Sequence, residues 1–265
     1  MYIIKFYLLF LFLILTESKK IRRRKKVRII EGEVANQKDY PFVVSIIYNN
    51  RHICGGSLIS ERYVLTAAHC TYSGSEPRNI ENILISVGSS KWETGTKYEI
   101  SKSYAHEDYD KATTTNDIGL FKTEEDVEFT QNVQPIKLYL NDLPKESDLE
   151  CMVIGWGFTS DNGFMVRKAS SVLNLVKIKT ISIESCRKFY RHIDERNICL
   201  TGSSRKGTCS GDSGGPLFIQ VYTELMQIGL VSFGGDCNNT SPEVHTRIFY
   251  FKDWISYAMT LLDVD

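Results

Sequence analysis

The chain has 265 residues, 42% hydrophobic and 24% charged, with 18 Gly and 6 Pro; this fits one large domain or two small ones and excludes global disorder and collagen-like repeats. Its formal charge is zero, but residues 1–28 carry nine Lys or Arg against one acid, Glu17, which leaves residues 29–265 with 23 basic and 31 acidic side chains. An acidic body argues against a nucleic-acid partner, which needs a basic footprint to neutralise phosphates.

The chain begins with an apolar run, Phe6–Leu15, about 15 Å long as a helix and roughly half of a bilayer core. With the small residues Thr16 and Ser18 behind it, this predicts a signal peptide over 1–18, a secreted extracellular product and no stable membrane anchor. Most of the positive charge follows the run, in 19–28, so an uncleaved anchor is the competing reading. Further on, short β-branched and aromatic runs bounded by turn residues predict strands. They are Phe42–Tyr48 (before Asn49-Asn50), Tyr63–Thr66, Ile83–Val87, Ile118–Phe121, Met152–Ile154, Val172–Ile178, Leu217–Val221 and Ile228–Phe233. The pattern is all-β, a sandwich or barrel, with no repeat at solenoid or propeller periods. A polar, Pro-containing stretch at 141–150 is the candidate boundary between two halves. Phe251, Trp254, Ile255, Ala258 and Leu262 recur at helical spacing and predict a closing amphipathic α-helix.

Seven cysteines lie at 54, 70, 151, 186, 199, 209 and 237. None falls in a Cys-x-x-Cys pair, so a zinc site is a poor reading, and a secreted chain predicts a disulfide framework with one cysteine left over. Acidic residues around 89–99 are too sparse for calcium.

Three segments carry chemistry. Thr66-Ala67-Ala68-His69-Cys70 places a histidine after a strand-like run, Asn116-Asp117-Ile118 an aspartate at the mouth of another, and Gly211-Asp212-Ser213-Gly214-Gly215-Pro216 a serine in a tight glycine-rich bend. Taken singly they read as a structural histidine, a turn aspartate and a chance Gly-x-Ser-x-Gly. Together they supply a hydroxyl nucleophile, a base to activate it and a carboxylate to orient that base. The order His, Asp, Ser and the lack of alternating βαβ argue against an α/β-hydrolase esterase, which needs Ser, Asp, His.

With Ile29-Ile30-Glu31-Gly32, Cys54-Gly55-Gly56-Ser57-Leu58-Ile59, Gly155-Trp156-Gly157 and Val231-Ser232-Phe233-Gly234 added, the chain resembles the chymotrypsin-like (trypsin-fold) serine proteases over nearly all of 29–265. The resemblance implies two six-stranded antiparallel barrels with the catalytic residues in the cleft between them. Ser213 is then the nucleophile, His69 the general base and Asp117 its orienting carboxylate, while the N–H groups of Gly211 and Ser213 form the oxyanion hole. Ser232, Phe233 and Gly234 pair with the substrate as an added strand. Arg28–Ile29 is the activation bond, 19–28 the basic propeptide, and the freed Ile29 ammonium pairs with Asp212. The implied disulfides are Cys54–Cys70, Cys186–Cys199 and Cys209–Cys237; Cys151, whose usual partner position is Ile219 here, is left as a free buried thiol, with an intermolecular disulfide as the alternative.

Gly207, Thr208 and Ser210 line the implied primary pocket. Gly207 stands where trypsin-like members carry an Asp, so ordinary tryptic specificity is not implied. Glu243 replaces a glycine in Pro242-Glu243-Val244-His245. Either its carboxylate points into the pocket, favouring Lys or Arg beside aromatic residues, or it turns outward and leaves an apolar pocket. Asn238 heads a glycosylation sequon beside this pocket. The implied protein is a monomeric secreted endopeptidase without cofactor or metal, whose partners are a peptide or protein substrate, an activating protease and protein inhibitors. A catalytically inactive homologue acting as a secreted binding protein is the alternative; the intact triad argues against it.

Overall fold

The computed structural model describes residues 32–143, 148–161, 164–202, 207–234 and 241–264. The signal segment 1–18, the propeptide 19–28, the Arg28–Ile29 bond, Cys237 and Asn238 lie outside the described residues.

Six strands make a first closed barrel: β1 (Val43–Tyr48), β2 (Arg51–Leu58), β3 (Tyr63–Thr66), β4 (Ile83–Val87), β5 (Thr96–Ala105) and β6 (Gly119–Thr123). They pair antiparallel in the cyclic order β1-β2-β3-β6-β5-β4. Asn49 and Asn50 turn β1 into β2 with φ of 50° and 60°, the left-handed pair that matches the twist of a two-residue hairpin. Val44, Ile46, Leu58, Val64, Ile85 and Phe121 fill the interior.

A second set follows: β7 (Glu150–Gly155), β8 (Asn174–Ile181), β9 (Asn197–Leu200), β10 (Pro216–Val221), β11 (Glu224–Phe233) and β12 (Glu243–Arg247). It closes antiparallel as β7-β8-β9-β12-β11-β10, the same cyclic order. Val153, Val176, Ile198, Leu200, Leu217 and Val231 form its core. Phe42, Val43, Ile154, Trp156, Leu173 and Phe218 form the joint between the barrels, with the Phe42 and Phe218 rings 5.3 Å apart and edge-on.

Several strands escape the sequence reading. β2 contains Cys54-Gly55-Gly56, whose glycines lower strand propensity, and β5 is mostly polar. A short helix α1 (Ile183–Arg187), capped by Ser182 Oγ accepting from Ser185 N, is likewise absent from it. The C-terminal helix α2 (Lys252–Asp263) starts one residue after Phe251, which sits in the preceding tight turn. Its apolar stripe, Trp254, Ile255, Ala258 and Leu262, packs on Tyr63, Leu65, Ile118 and Leu120 of the first barrel. Lys122, reaching out of β6, donates to Leu262 O (3.0 Å) and Asp263 Oδ1 (2.7 Å), tying down the helix end.

Candidate active site

Three short segments at the barrel joint bring the chemistry together. His69 lies in the tight turn Ala68–Thr71 that follows β3. Asp117 sits just before β6, after Asn116 with φ of 55°. Ser213 lies in the bend that leads into β10.

Asp117 is 1% exposed and fully engaged. Its Oδ1 accepts from His69 N (2.9 Å), and its Oδ2 lies 2.8 Å from His69 Nδ1 and accepts from Ser232 Oγ at 2.6 Å. Thr246 Oγ1 donates to its backbone carbonyl at 2.7 Å. An ionised carboxylate only accepts, so Nδ1 carries the proton and Nε2 keeps its lone pair for the cleft. Burial pulls the His69 pKa down, but the Asp117 charge and hydrogen bond outweigh it, and the net direction is upward from 6.5. The hydroxyl of Ser232 thus has a second task that the sequence reading gave only to its backbone.

The serine bend is pinned to the first barrel. Ser213 O accepts from Gly55 N (2.8 Å) and lies 3.6 Å from Cys70 Sγ, the residue after His69. Gly214 N donates to Val231 O at 2.7 Å and Gly215 N to Asp212 O at 2.9 Å. Gly214 has φ of +74°, and a Cβ there would collide with Thr66 Oγ1; only glycine fits. The Ser213 side chain makes no hydrogen bond to the imidazole in this structure. Such contacts commonly tighten only once substrate is bound.

His52, which the sequence reading missed, holds the same bend from the other side. Its Nε2 lies 2.8 Å from Gly211 O and its Nδ1 2.8 Å from Ser45 Oγ. Burial lowers its pKa to about 4, so the ring is neutral at ordinary pH. A carbonyl cannot donate, so Nε2 holds the proton and the Ser45 hydroxyl donates to Nδ1. Ser210 is exposed, and its carbonyl accepts from Phe158 N at 2.8 Å.

Asp212 is buried and turned away from solvent. Its Oδ1 accepts from Gly157 N (2.8 Å) and Oδ2 from Cys209 N (3.0 Å). Burial, with a smaller push from Glu243, raises its pKa from 3.8 to about 7. A Cβ on Gly155 or Gly157 would strike this carboxylate, which explains the two glycines around Trp156.

Four of the residues expected to line the primary pocket, Gly207, Thr208, Gly234 and Glu243, also meet. Glu243 is 8% exposed. Its Oε1 accepts from Thr208 N (2.8 Å) and its Oε2 from Thr208 Oγ1 (2.9 Å). Any side chain at Gly207 would collide with Oε1, and Gly234 faces the stem of Glu243 at van der Waals distance. Phe233 packs edge-on to Tyr190 and stacks on His192, with centroids 5.4 and 5.9 Å away.

Cys54–Cys70 and Cys186–Cys199 are disulfides, with S–S distances of 2.05 and 1.98 Å. Cys209 is disulfide-bonded, and its expected partner Cys237 lies outside the described residues. Cys151 is free and buried, with its thiol pushed up to about 12 by burial. Among the described residues the one cluster of metal-ligating side chains is Cys54, His69 and Cys70. Its two sulfurs are already spent on each other. A cavity of about 380 Å³ near Arg187 and Arg247 shares no residue with this site. No described helix is long and apolar enough to cross a membrane.

The Trypsin family model matches residues 29–255. A trypsin of Phaedon cochleariae is 34% identical over 245 residues, covering 90% of this chain and 91% of its own length. Trypsin 5G1 of Aedes aegypti and chymotrypsin-2 of Vespa crabro are also 34% identical, over 88% and 86% of this chain and 85% and 98% of their own lengths.

Proposed function

The chain belongs to the trypsin family of serine endopeptidases, and from that premise we propose that it cleaves peptide bonds with Ser213, His69 and Asp117. In this reading Ser213 Oγ attacks the scissile carbonyl carbon while His69 Nε2 takes its proton. The resulting oxyanion is held by the N–H groups of Gly211 and Ser213. His69 then gives the proton to the leaving amine, the C–N bond breaks, and an acyl-enzyme remains. Water, deprotonated by the same imidazole, releases the acid and restores Ser213. Asp117 keeps the imidazole in the required tautomer and stabilises its charged form.

The observation that carries this reading is the Asp117 network. One buried carboxylate takes hydrogen bonds from His69 and Ser232 and fixes the tautomer of the base, while the serine bend is held to the first barrel by Gly55 N, which donates to Ser213 O at 2.8 Å. Labelling with an organophosphonate tests it. The adduct is expected on Ser213 and on no other serine, and should vanish in Ser213→Ala. An adduct elsewhere, or peptide hydrolysis by Ser213→Ala, overturns the assignment.

The same reading makes the protein a secreted zymogen, cut at Arg28–Ile29 by an activating protease and open to protein inhibitors. The new Ile29 ammonium then supplies the cation that buried Asp212 lacks among the described residues. Glu243 is buried with both carboxylate oxygens on Thr208; in this reading it faces the primary pocket and favours Lys or Arg there, beside aromatic side chains. Profiling cleavage by Glu243→Gly checks this: the Lys/Arg preference should fall, and an unchanged profile removes Glu243 from specificity.

A further inference from the structure

Asp117 belongs to the first barrel, yet the second barrel grips the turn that carries it. Ile118 N donates to Asn116 O at 2.9 Å, which closes a three-residue turn with Asp117 at its centre. The direction of the Asp117 side chain therefore depends on the backbone of Asn116, whose φ is 55°. That left-handed conformation is unfavourable for most residues, and Asn adopts it when its short polar side chain is hydrogen-bonded. Asn116 Nδ2 donates to Asp108 O at 2.9 Å, and Oδ1 accepts from Arg196 Nη1 at 3.1 Å.

Arg196 stands in the turn just before β9, 80 positions further along the chain. Its Nε and Nη2 fork onto the two carboxylate oxygens of Asp194, at 2.9 and 2.5 Å. A guanidinium is planar and rigid, so this fork aims the remaining nitrogen, Nη1. The Arg196 backbone is fixed as well, because its carbonyl accepts from Arg247 N at 2.8 Å. Thr246, the residue before Arg247, donates to Asp117 O at 2.7 Å. An ion pair between partly exposed neighbours is by itself worth little. The bond to Asn116 is not needed for such a pair; it joins the pair to the residue that precedes Asp117.

We propose that Arg196 is a positioning residue for catalysis: from the second barrel its guanidinium, aimed by Asp194, holds Asn116 in the conformation that turns the Asp117 carboxylate toward His69. This rests on the reading above that Ser213, His69 and Asp117 are the reacting groups. Ser232 and Thr246 keep their own bonds to Asp117 when Arg196 is lost, so the effect is a partial misplacement. A displacement of about 1 Å can cost 10²-fold in rate, and loss of about tenfold in kcat is expected here.

The test measures kcat, KM and the pH profile of peptide hydrolysis by the activated protein, with active sites counted by an organophosphonate. Arg196→Met keeps the apolar stem and removes the donors. It should lower kcat about tenfold with KM unchanged, and move the acid midpoint of kcat/KM downward, because a loosened Asp117 raises the His69 pKa less. Asn116→Gly suits the positive φ and should show the same changes, while the double variant should be no worse than either alone. Losses that multiply in the double variant overturn the proposal. So does Arg196→Met that melts earlier but keeps kcat and the midpoint, since that is the behaviour of a mere ion pair. Should Arg196→Met fail to fold, Arg196→Lys decides: it keeps a cation for Asp194 but lacks the fork that spans both partners, so kcat should still fall, and full activity overturns the proposal. An organophosphonate adduct away from Ser213 sinks the triad and this inference with it. An adduct on Ser213 with unaltered kinetics in the Arg196 variants removes Arg196 alone.

Discussion

Replacing Asp212 with Asn in the uncut chain should remove a pH-dependent load from the fold. The carboxylate is fully buried and receives two backbone N–H groups. Burial nevertheless holds its pKa near 7 instead of 3.8, a gap of about three pH units or ~4 kcal/mol. The raised value means that the folded chain keeps a proton which the unfolded chain has already released between about pH 4 and 7. The associated stability is complete below pH 4 and is lost as pH rises through 7. Against a total of about 5–15 kcal/mol for an ordinary domain, that is a large fraction.

The Asn amide keeps one acceptor, for Gly157 N, but turns an N–H toward Cys209 N, which costs about 1–3 kcal/mol at every pH. The informative quantity is therefore the difference between the two proteins as a function of pH, in which the other carboxylates cancel. Urea unfolding at several pH values from 4.5 to 7.5, with both chains carrying Ser213→Ala to prevent self-cleavage, reads it out. The Asp form should lose about 3 kcal/mol relative to the Asn form across that range, the rest of the ~4 kcal/mol having gone below pH 4.5. Parallel curves would refute the reasoning. If cleavage after Arg28 delivers an ammonium to Asp212, the slope should disappear in the cut protein.

The acid limb of kcat/KM should have its midpoint above 6.5, the direction in which Asp117 moves His69, and Asp117→Asn should cost about 10⁴ in kcat by mispositioning the imidazole proton; a midpoint below 6 in the unsubstituted enzyme contradicts the tautomer assignment. Phe218→Ala empties part of the joint between the barrels and should cost about 3–5 kcal/mol in urea unfolding, with a loss under 1 kcal/mol counting against tight packing there. Lys122→Ala removes donors to Leu262 O and Asp263, for a loss of about 1.5–3 kcal/mol. Cys151, buried with its thiol pushed up to about 12, should resist thiol reagents at pH 8 until the protein is denatured; stoichiometric labelling of the native protein would show that the core around it opens.

The apolar strands were legible because burial on one or both faces leaves a composition signal, as in Val43–Tyr48 and Ile83–Val87. β2 and β5 were not: the first carries glycines because Gly55 lies against Gly215 and Gly56 against Val64, and the second is largely polar. The site was legible for a related reason. Glycines at 155, 157, 207 and 214 are required where a carboxylate or hydroxyl from elsewhere occupies the space a Cβ would need, so close packing is written into the motif. His52, Ser45 and Thr246 act through hydrogen bonds between residues up to 159 positions apart. Single polar residues in strands leave no local pattern from which such partners could be paired.

Asp212 and Glu243 supply one more consequence, because each lies close enough for the charge of Glu243 to push the Asp212 pKa upward. Glu243→Gln preserves the side-chain length and the acceptor for Thr208 N, and the Thr208 hydroxyl can turn to accept from the new amide. Charge is thus removed while packing is held. Asp212 should then ionise at lower pH, and its share of the pH-dependent instability should shrink by a fraction of the ~4 kcal/mol, since burial remains the larger cause. The same coupling runs in the other direction by thermodynamic reciprocity: a cation that neutralises either carboxylate eases the ionisation of the other. An ammonium arriving at Asp212 and a basic substrate side chain arriving at Glu243 would therefore assist one another. Measuring the stability difference between the Asp212 and Asn forms in the Glu243→Gln background decides it: an unchanged midpoint would mean that the two carboxylates are electrostatically separate and that pocket and activation site work independently.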